Sequence, residues 1–263
     1  MTFTDIQVVL FDFGRTLAEY DLPSWPSALG RCVDGIYGFL VRPSEELAPP
    51  AASIPSPEKA HAARGALRPD HPLPHRVAMG LRRVVRAVSG RTLPAIAEAC
   101  ARPIMATGRI YEDSLPTLEA LRLRGYRMGL VSNTPWGTPH YLWEKQVEKF
   151  ALAPLLEVCL FSSGVGYRKP HPTIFREALR RLGIRSEHAL FVGDTPAEDM
   201  AGAHAVGMRT VLITRGAAPE GADSCGADAI IPSLGALLAL LPERAEAAQT
   251  LSTQTLDRSS QPS

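Results

Sequence analysis

Four short segments of this 263-residue chain carry side chains suited to chemistry: Asp12 in FDFGRTL, Ser132 and Asn133 in GLVSNT, Lys169 in GYRKPHP, and Asp194 with Asp199 in LFVGDTPAED. Each follows a short apolar run of strand length. If those runs align in one sheet, their ends bring together two or three carboxylates, one lysine and small hydroxyl or amide groups. Carboxylates that close repel one another and do not all stay ionised without a cation between them. Hard oxygen ligands of this kind suit Mg²⁺, which takes one or two protein carboxylates, keeps several waters and binds substrate phosphate. Lys169 can then neutralise phosphate charge and Ser132 can donate its hydroxyl to a phosphoryl oxygen. Asp12 is left free to attack, forming a covalent aspartyl intermediate that splits one hard displacement into two easier ones.

The elements that must position these groups are legible as apolar runs at 6–11, 127–131, 158–162, 189–192, 210–214 and 229–232, each the length of a buried strand. Between them lie stretches with helical spacing, such as Leu115, Leu118, Leu121 and Leu123 ahead of Gly125. Ile174, Phe175, Ala178 and Leu182 form another, with Pro172 near its start and Gly183 just past its end, as a helix should be punctuated. This alternation predicts an α/β fold, a Rossmann-like parallel sheet with helices on both faces, whose ligands bind outside the carboxyl ends of the strands.

One interval, 18–109, contains no convincing strand and is far too long for a loop. Helical patches over 25–40 and 75–88 read it as an inserted α-helical cap, with larger or charged residues Trp25, Tyr37, Arg82, Arg83 and Arg86 as candidates for selectivity. Eight of the 23 prolines crowd 42–75, which reads as an extended or mobile linker within that cap. The expected domains are therefore a core of 1–17 and 110–248, a cap of 18–109 and a polar, disordered tail of 249–263.

Composition narrows the function classes. A net charge of +1 gives no basic field to concentrate the protein on nucleic acid or anionic lipid, so any bound anion needs a local site. Cys32, Cys100, Cys159 and Cys225 have neither zinc nor redox spacing and read as buried thiols of a reducing compartment. The first residues lack a cationic leader and no apolar stretch reaches the roughly 18 residues that span a bilayer. The expectation is a cytoplasmic monomer or homodimer with no nucleic-acid or membrane partner. The seven histidines show no ligand spacing, and His171 reads as a loop residue.

In their order and spacing these motifs resemble the haloacid dehalogenase superfamily of hydrolases. FDFGRTLAEYD is similar to the first family motif, GLVSNT to the second, Lys169 in GYRKPHPTIF to the third and VGDTPAEDMAGAHAVGM to the acidic fourth. The resemblance covers 6–20 and about 110–215, which leaves the insertion as a C1-type cap, the kind that follows the first motif. It implies a Mg²⁺-dependent phosphomonoesterase acting on a small phosphorylated metabolite through an aspartyl phosphate on Asp12. Asp12 and Lys169 would be catalytic; Thr16, Ser132, Asn133 and Lys169 would bind substrate. Asp12, the Gly14 carbonyl, Asp194 and Asp199 would hold the metal.

Two departures bear on that expectation. Phosphatases of the superfamily usually carry a second Asp at the position of Gly14, where it protonates the leaving alcohol and then activates water. Its loss removes assistance of roughly 10² to 10⁴ in rate. Arg15 stands in place of the usual glycine, with a guanidinium that could reach phosphate or point to solvent. A weakly active or inactive member that binds a ligand or partner is therefore one alternative. A metal-free haloacid dehalogenase, which also lacks the second Asp, is the other.

Overall fold

In the computed structural model, which describes residues 2–20, 98, 101–135, 138–216 and 220–244, the first strand is β1 (Val8–Phe11). Its sequence, VVLF, has no polar alternation and is buried on both faces, as a central parallel strand must be. Two two-residue strands, β2 (Ala18–Glu19) and β3 (Arg109–Ile110), pair with each other as a separate ribbon. The main sheet adds β4 (Arg127–Ser132), β5 (Val158–Phe161), β6 (Ala189–Gly193), β7 (Arg209–Ile213) and β8 (Ala229–Ile231). Its order is β5-β4-β1-β6-β7-β8, with every pairing parallel.

All six apolar runs of the sequence are strands of this sheet, so the α/β expectation holds. The ribbon was not anticipated, because two-residue strands carry no periodicity that a sequence window can detect. The register explains why chemistry gathers at one place. Phe11 lies opposite Leu130 of β4 and Val192 of β6, so Asp12 stands level with the ends of both neighbours.

Helices cover the sheet. α1 (Ser114–Leu123) buries Leu118 and Leu121 completely. A further helix, α2 (His140–Lys149), belongs mostly to the second of the two units described below and was not singled out by its sequence pattern. α3 (Pro172–Leu182) begins at its proline and ends at Gly183, whose φ of 60° is the left-handed conformation that closes a helix without a Cβ clash. Phe175 of α3 meets Phe191 of β6 edge to face, with ring centroids 5.1 Å apart, inside a core that also holds Leu10, Val131 and Leu212.

By contacts the chain divides into two compact units, one of 1–19, 110–133 and 147–263 and another of 20–109 and 134–146. The sheet lies in the first. In the second, Tyr20 donates to Gln146 Oε1 at 3.4 Å and packs edge to face on Trp143. The helical patches, the proline-rich segment, the polar tail, Cys32, Cys100 and the selectivity candidates between 25 and 86 lie outside the described residues. Cys159 and Cys225 are each partly buried and form no disulfide among the described residues.

Phe175 has no exposed surface, and its removal leaves a cavity between α3 and β6. Phe175→Ala is expected to lower unfolding stability by about 3–5 kcal/mol, measured by urea denaturation.

Candidate active site

The site assembles at the carboxyl ends of β1, β4 and β6. Asp12 follows β1, where its backbone N–H donates to Val192 O and ties it to the end of β6. The next turn is tight: Leu17 N and Ala18 N both donate to Phe13 O, and Arg15 N donates to Ala18 O. Ser132 is the last residue of β4 and is buried. Gly193 closes β6 and Asp194 follows it. A five-residue π-helical turn, Pro196–Met200, then carries Asp199, whose N–H donates to Thr195 O at 2.8 Å. Such turns are rare and often sit at functional sites.

Lys169 joins these segments. Its ammonium lies 2.6 Å from Asp12 Oδ1 and 2.6 Å from Asp199 Oδ1, above the Phe191 ring at 5.2 Å, and only 3% of the residue is exposed. Burial disfavours its charge, but Asp12 and Asp199 outweigh burial and raise its pKa, so Lys169 is a fixed cation. Asn133 holds the Lys169 backbone on both sides: its Nδ2 donates to Lys169 O and its Oδ1 accepts from Lys169 N at 2.8 Å. The same Nδ2 reaches Glu198 Oε2 at 2.8 Å. The structure thus occupies the Asn133 amide in positioning Lys169.

Asp12, Asp194 and Asp199 each offer a carboxylate oxygen within 4.8 Å of the others, and all three are buried. Burial raises the Asp194 pKa to about 7, with the charges of Asp12 and Asp199 adding to it while Arg15 and Lys169 pull it down. Burial likewise raises Asp199 to about 6, against the pull of Lys169. Two cations therefore leave the cluster short of positive charge, and a divalent cation fits that deficit. Gly193 makes the arrangement sterically feasible. A Cβ there would lie 2.4 Å from Asp199 Oδ2, so only glycine lets this carboxylate rest against the strand end. Thr16 is fully buried, and its hydroxyl finds no hydrogen-bond partner among the described residues. At Gly14, by contrast, a Cβ would meet nothing within 4 Å.

These features decide the family. Residues 6–207 match the haloacid dehalogenase-like hydrolase family. The chain belongs to it. Among curated relatives, a glyceraldehyde 3-phosphate phosphatase of Methanopyrus kandleri is 40% identical over 106 residues, 40% of this chain and 44% of that protein. A phosphoserine phosphatase of Thermus thermophilus is 38% identical over 111 residues, 42% of this chain and 43% of that protein. The chain thus spans less than half the length of these relatives. Among solved structures, a 2-haloacid dehalogenase from Pseudomonas syringae superposes with a TM-score of 0.61 at 25% identity, covering 89% of this chain and 97% of that one. A haloacid dehalogenase-type phosphatase from Thermococcus onnurineus gives 0.57 at 24% identity, over 88% and 96%, and shows the shared fold.

One residue that holds a segment of the candidate site escaped the sequence reading. Arg215, just past β7, donates from Nη2 to Thr16 O and from Nη1 to Asp113 Oδ1, both at 2.6 Å, and its guanidinium stacks 3.9 Å from the Tyr111 ring centroid. It thereby holds the loop that follows Asp12. Its φ of 50° is left-handed, an uncommon conformation for a residue with a side chain, which the three contacts together stabilise. Nothing local in ITRGAAP signals this role. His171, expected in a loop, caps α3 by accepting from Thr173 N at 3.3 Å and stacks on Tyr167. A cleft of about 540 Å³, lined by Phe3, Asp5, His188, His204 and Arg209, opens at the opposite, amino ends of the strands and takes no part in this site.

Arg215→Met removes both hydrogen bonds and leaves the Asp113 carboxylate without its counter-charge. The variant is expected to lose about 2–4 kcal/mol in thermal unfolding, with Arg215→Lys losing less.

Proposed function

We propose that the protein is a Mg²⁺-dependent phosphomonoesterase acting on a small phosphorylated metabolite, with Asp12 as nucleophile. The observation that supports it is the trio of buried carboxylates around one lysine at the strand ends. The relatives named as phosphatases of glyceraldehyde 3-phosphate and phosphoserine point to the same substrate class. We place this enzyme in the cytoplasm, with residues 18–109 as its cap; among the described residues no helix is long and apolar enough to cross a membrane.

In this reading Lys169 fixes one oxygen of Asp12, and with it the direction of the other, which attacks phosphorus. A bond forms between the Asp12 carboxylate and phosphorus as the bond from phosphorus to the ester oxygen breaks. The departing alkoxide takes its proton from solvent, because Gly14 offers no acid. Water then attacks phosphorus, releasing inorganic phosphate and restoring the Asp12 carboxylate. Lys169, with the hydroxyls of Ser132 and Thr16, offsets charge on the phosphoryl oxygens, while Asn133 keeps Lys169 in place. Asp12, Asp194, Asp199 and the Gly14 carbonyl would hold Mg²⁺, which supplies positive charge against the phosphoryl group when bound.

Gly14 and Arg15 favour a second reading, a phosphate-binding member with little turnover. The metal-free dehalogenase is disfavoured, since halide displacement by Asp12 has no use for two further buried carboxylates with raised pKa values.

Hydrolysis over a panel of phosphate esters should rise with Mg²⁺ and vanish on chelation, and Asp12→Asn should abolish it; turnover that survives full chelation contradicts the reading. Because a side chain at Gly14 meets open space, Gly14→Asp is expected to raise turnover of alkyl phosphates by roughly 10² to 10⁴. The gain should be small for p-nitrophenyl phosphate, whose leaving group needs no acid. No phosphatase activity in either form, with phosphate still bound, would support the binding reading.

A further inference from the structure

Arg15 is the residue whose presence the backbone least explains. Its φ of 60° is left-handed, a conformation glycine adopts without cost and a side-chain-bearing residue does not. The turn it occupies is closed by its own N–H on Ala18 O and by the two donors to Phe13 O, all of them backbone bonds that glycine would make equally well. What arginine adds is the guanidinium. Its Nη2 lies 2.8 Å from Asp194 Oδ2, pairing a side chain that is 64% exposed with one that is 7% exposed.

The form of this contact matters. Asp194 Oδ2 is buried and has no aligned hydrogen-bond donor, so the pairing is one of charge rather than of directed hydrogen bonds. The other oxygen, Oδ1, takes only a long bond of 3.3 Å from Thr195 Oγ1. The carboxylate therefore keeps its capacity to ligate. A guanidinium carries its charge at every accessible pH and has no lone pair to share with a metal. Two cations set against one carboxylate repel, so a divalent ion at Asp194 weakens the hold on Arg15, the more exposed of the two partners. The Arg15 side chain, mostly in solvent and paired among the described residues with Asp194, can swing away without opening any of the core.

We propose that Arg15 competes with the divalent cation for Asp194: it balances that carboxylate until the metal enters, and metal entry displaces it. This rests on the metal-dependent reading above and adds that this chain weakens its own metal site through one residue of the nucleophile loop. Mg²⁺ occupancy then depends on the free concentration of the ion over a range in which a site without Arg15 is already full.

Calorimetric titration of Mg²⁺ into the full-length protein without substrate tests this, alongside unfolding midpoints with and without Mg²⁺. Arg15→Gln removes the charge but keeps a side chain at the same left-handed position, so backbone strain is common to both proteins. It is expected to bind Mg²⁺ roughly three- to tenfold more tightly and to show a larger metal-induced rise in midpoint. Arg15→Lys, which keeps the charge, should remain near the wild-type affinity and serves as the folded control. Equal or weaker Mg²⁺ binding by Arg15→Gln overturns the competition and leaves the metal site intact. No Mg²⁺ binding by any of the three proteins overturns the competition together with the metal-dependent reading.

Discussion

The site depends on one buried ammonium. A lysine with 3% of its surface exposed cannot stay charged unless anions meet it, and Lys169 has two at 2.6 Å. The dependence is mutual, because Asp12 and Asp199 could not share so small a volume without that cation. Asp12 comes from the end of β1, Lys169 from the segment after β5, and Asp199 from the turn after β6. Three segments distant in sequence are therefore held in register by charge, over a sheet held in register by apolar packing. The Phe191 ring beneath the ammonium links the two layers, since it belongs to the core and faces the cation at once.

The loop after β1 is secured differently. Phe13 enters the core, its ring 6.3 Å from Phe150 and 6.1 Å from Phe161. Around it the backbone is satisfied by specific donors: Arg215 on Thr16 O, and Ser114 Oγ with Tyr111 N on Leu17 O. Displacing an attacking group by even an ångström is costly in rate, so the role proposed for Asp12 gains from a turn gripped on several sides. Asp113 extends that grip. Its carboxylate, rather than capping α1, takes Arg215 on one oxygen and the N–H groups of Leu234 and Gly235 on the other, joining the loop after Asp12 to the segment that follows β8.

What could be read from the sequence follows the range of the forces involved. The six strands were legible because each is a continuous apolar run, and the ends of those runs marked Asp12, Ser132 and Asp194 as neighbours before any coordinates. The helix α3 was legible from Pro172 and Gly183, local signals of its start and stop. Arg215 and Asp113 were not, because their roles arise from partners 102 and 199 residues away and leave no local pattern. Nor was the task of Asn133: its place after β4 marked it as near the site, but only the fold shows its amide occupied by the Lys169 backbone. Gly193 stands between these cases. Its position before Asp194 was visible, but the need for glycine there appears only once Asp199 is seen to fill the space of a Cβ.

Gly14 and Arg15 act in one electrostatic direction. Three carboxylates set against Lys169 and Arg15 leave a single formal negative charge at the site. The pattern usual among phosphatases of this family, with a second Asp and a glycine at these positions, would be more negative by two charges. A less negative site attracts a divalent cation less and a phosphate dianion more, because both enter through the same field. In the proposed reading, the two departures would move the balance from metal capture toward anion capture. In the proposed reaction, the lack of an acid at Gly14 would slow departure of a poor leaving group, and a cation at Arg15 would do nothing to restore that proton. Under the proposed function, binding and turnover would be set by different residues: affinity for the anion by the charge balance around Asp194, and the rate of ester cleavage by the open space at Gly14.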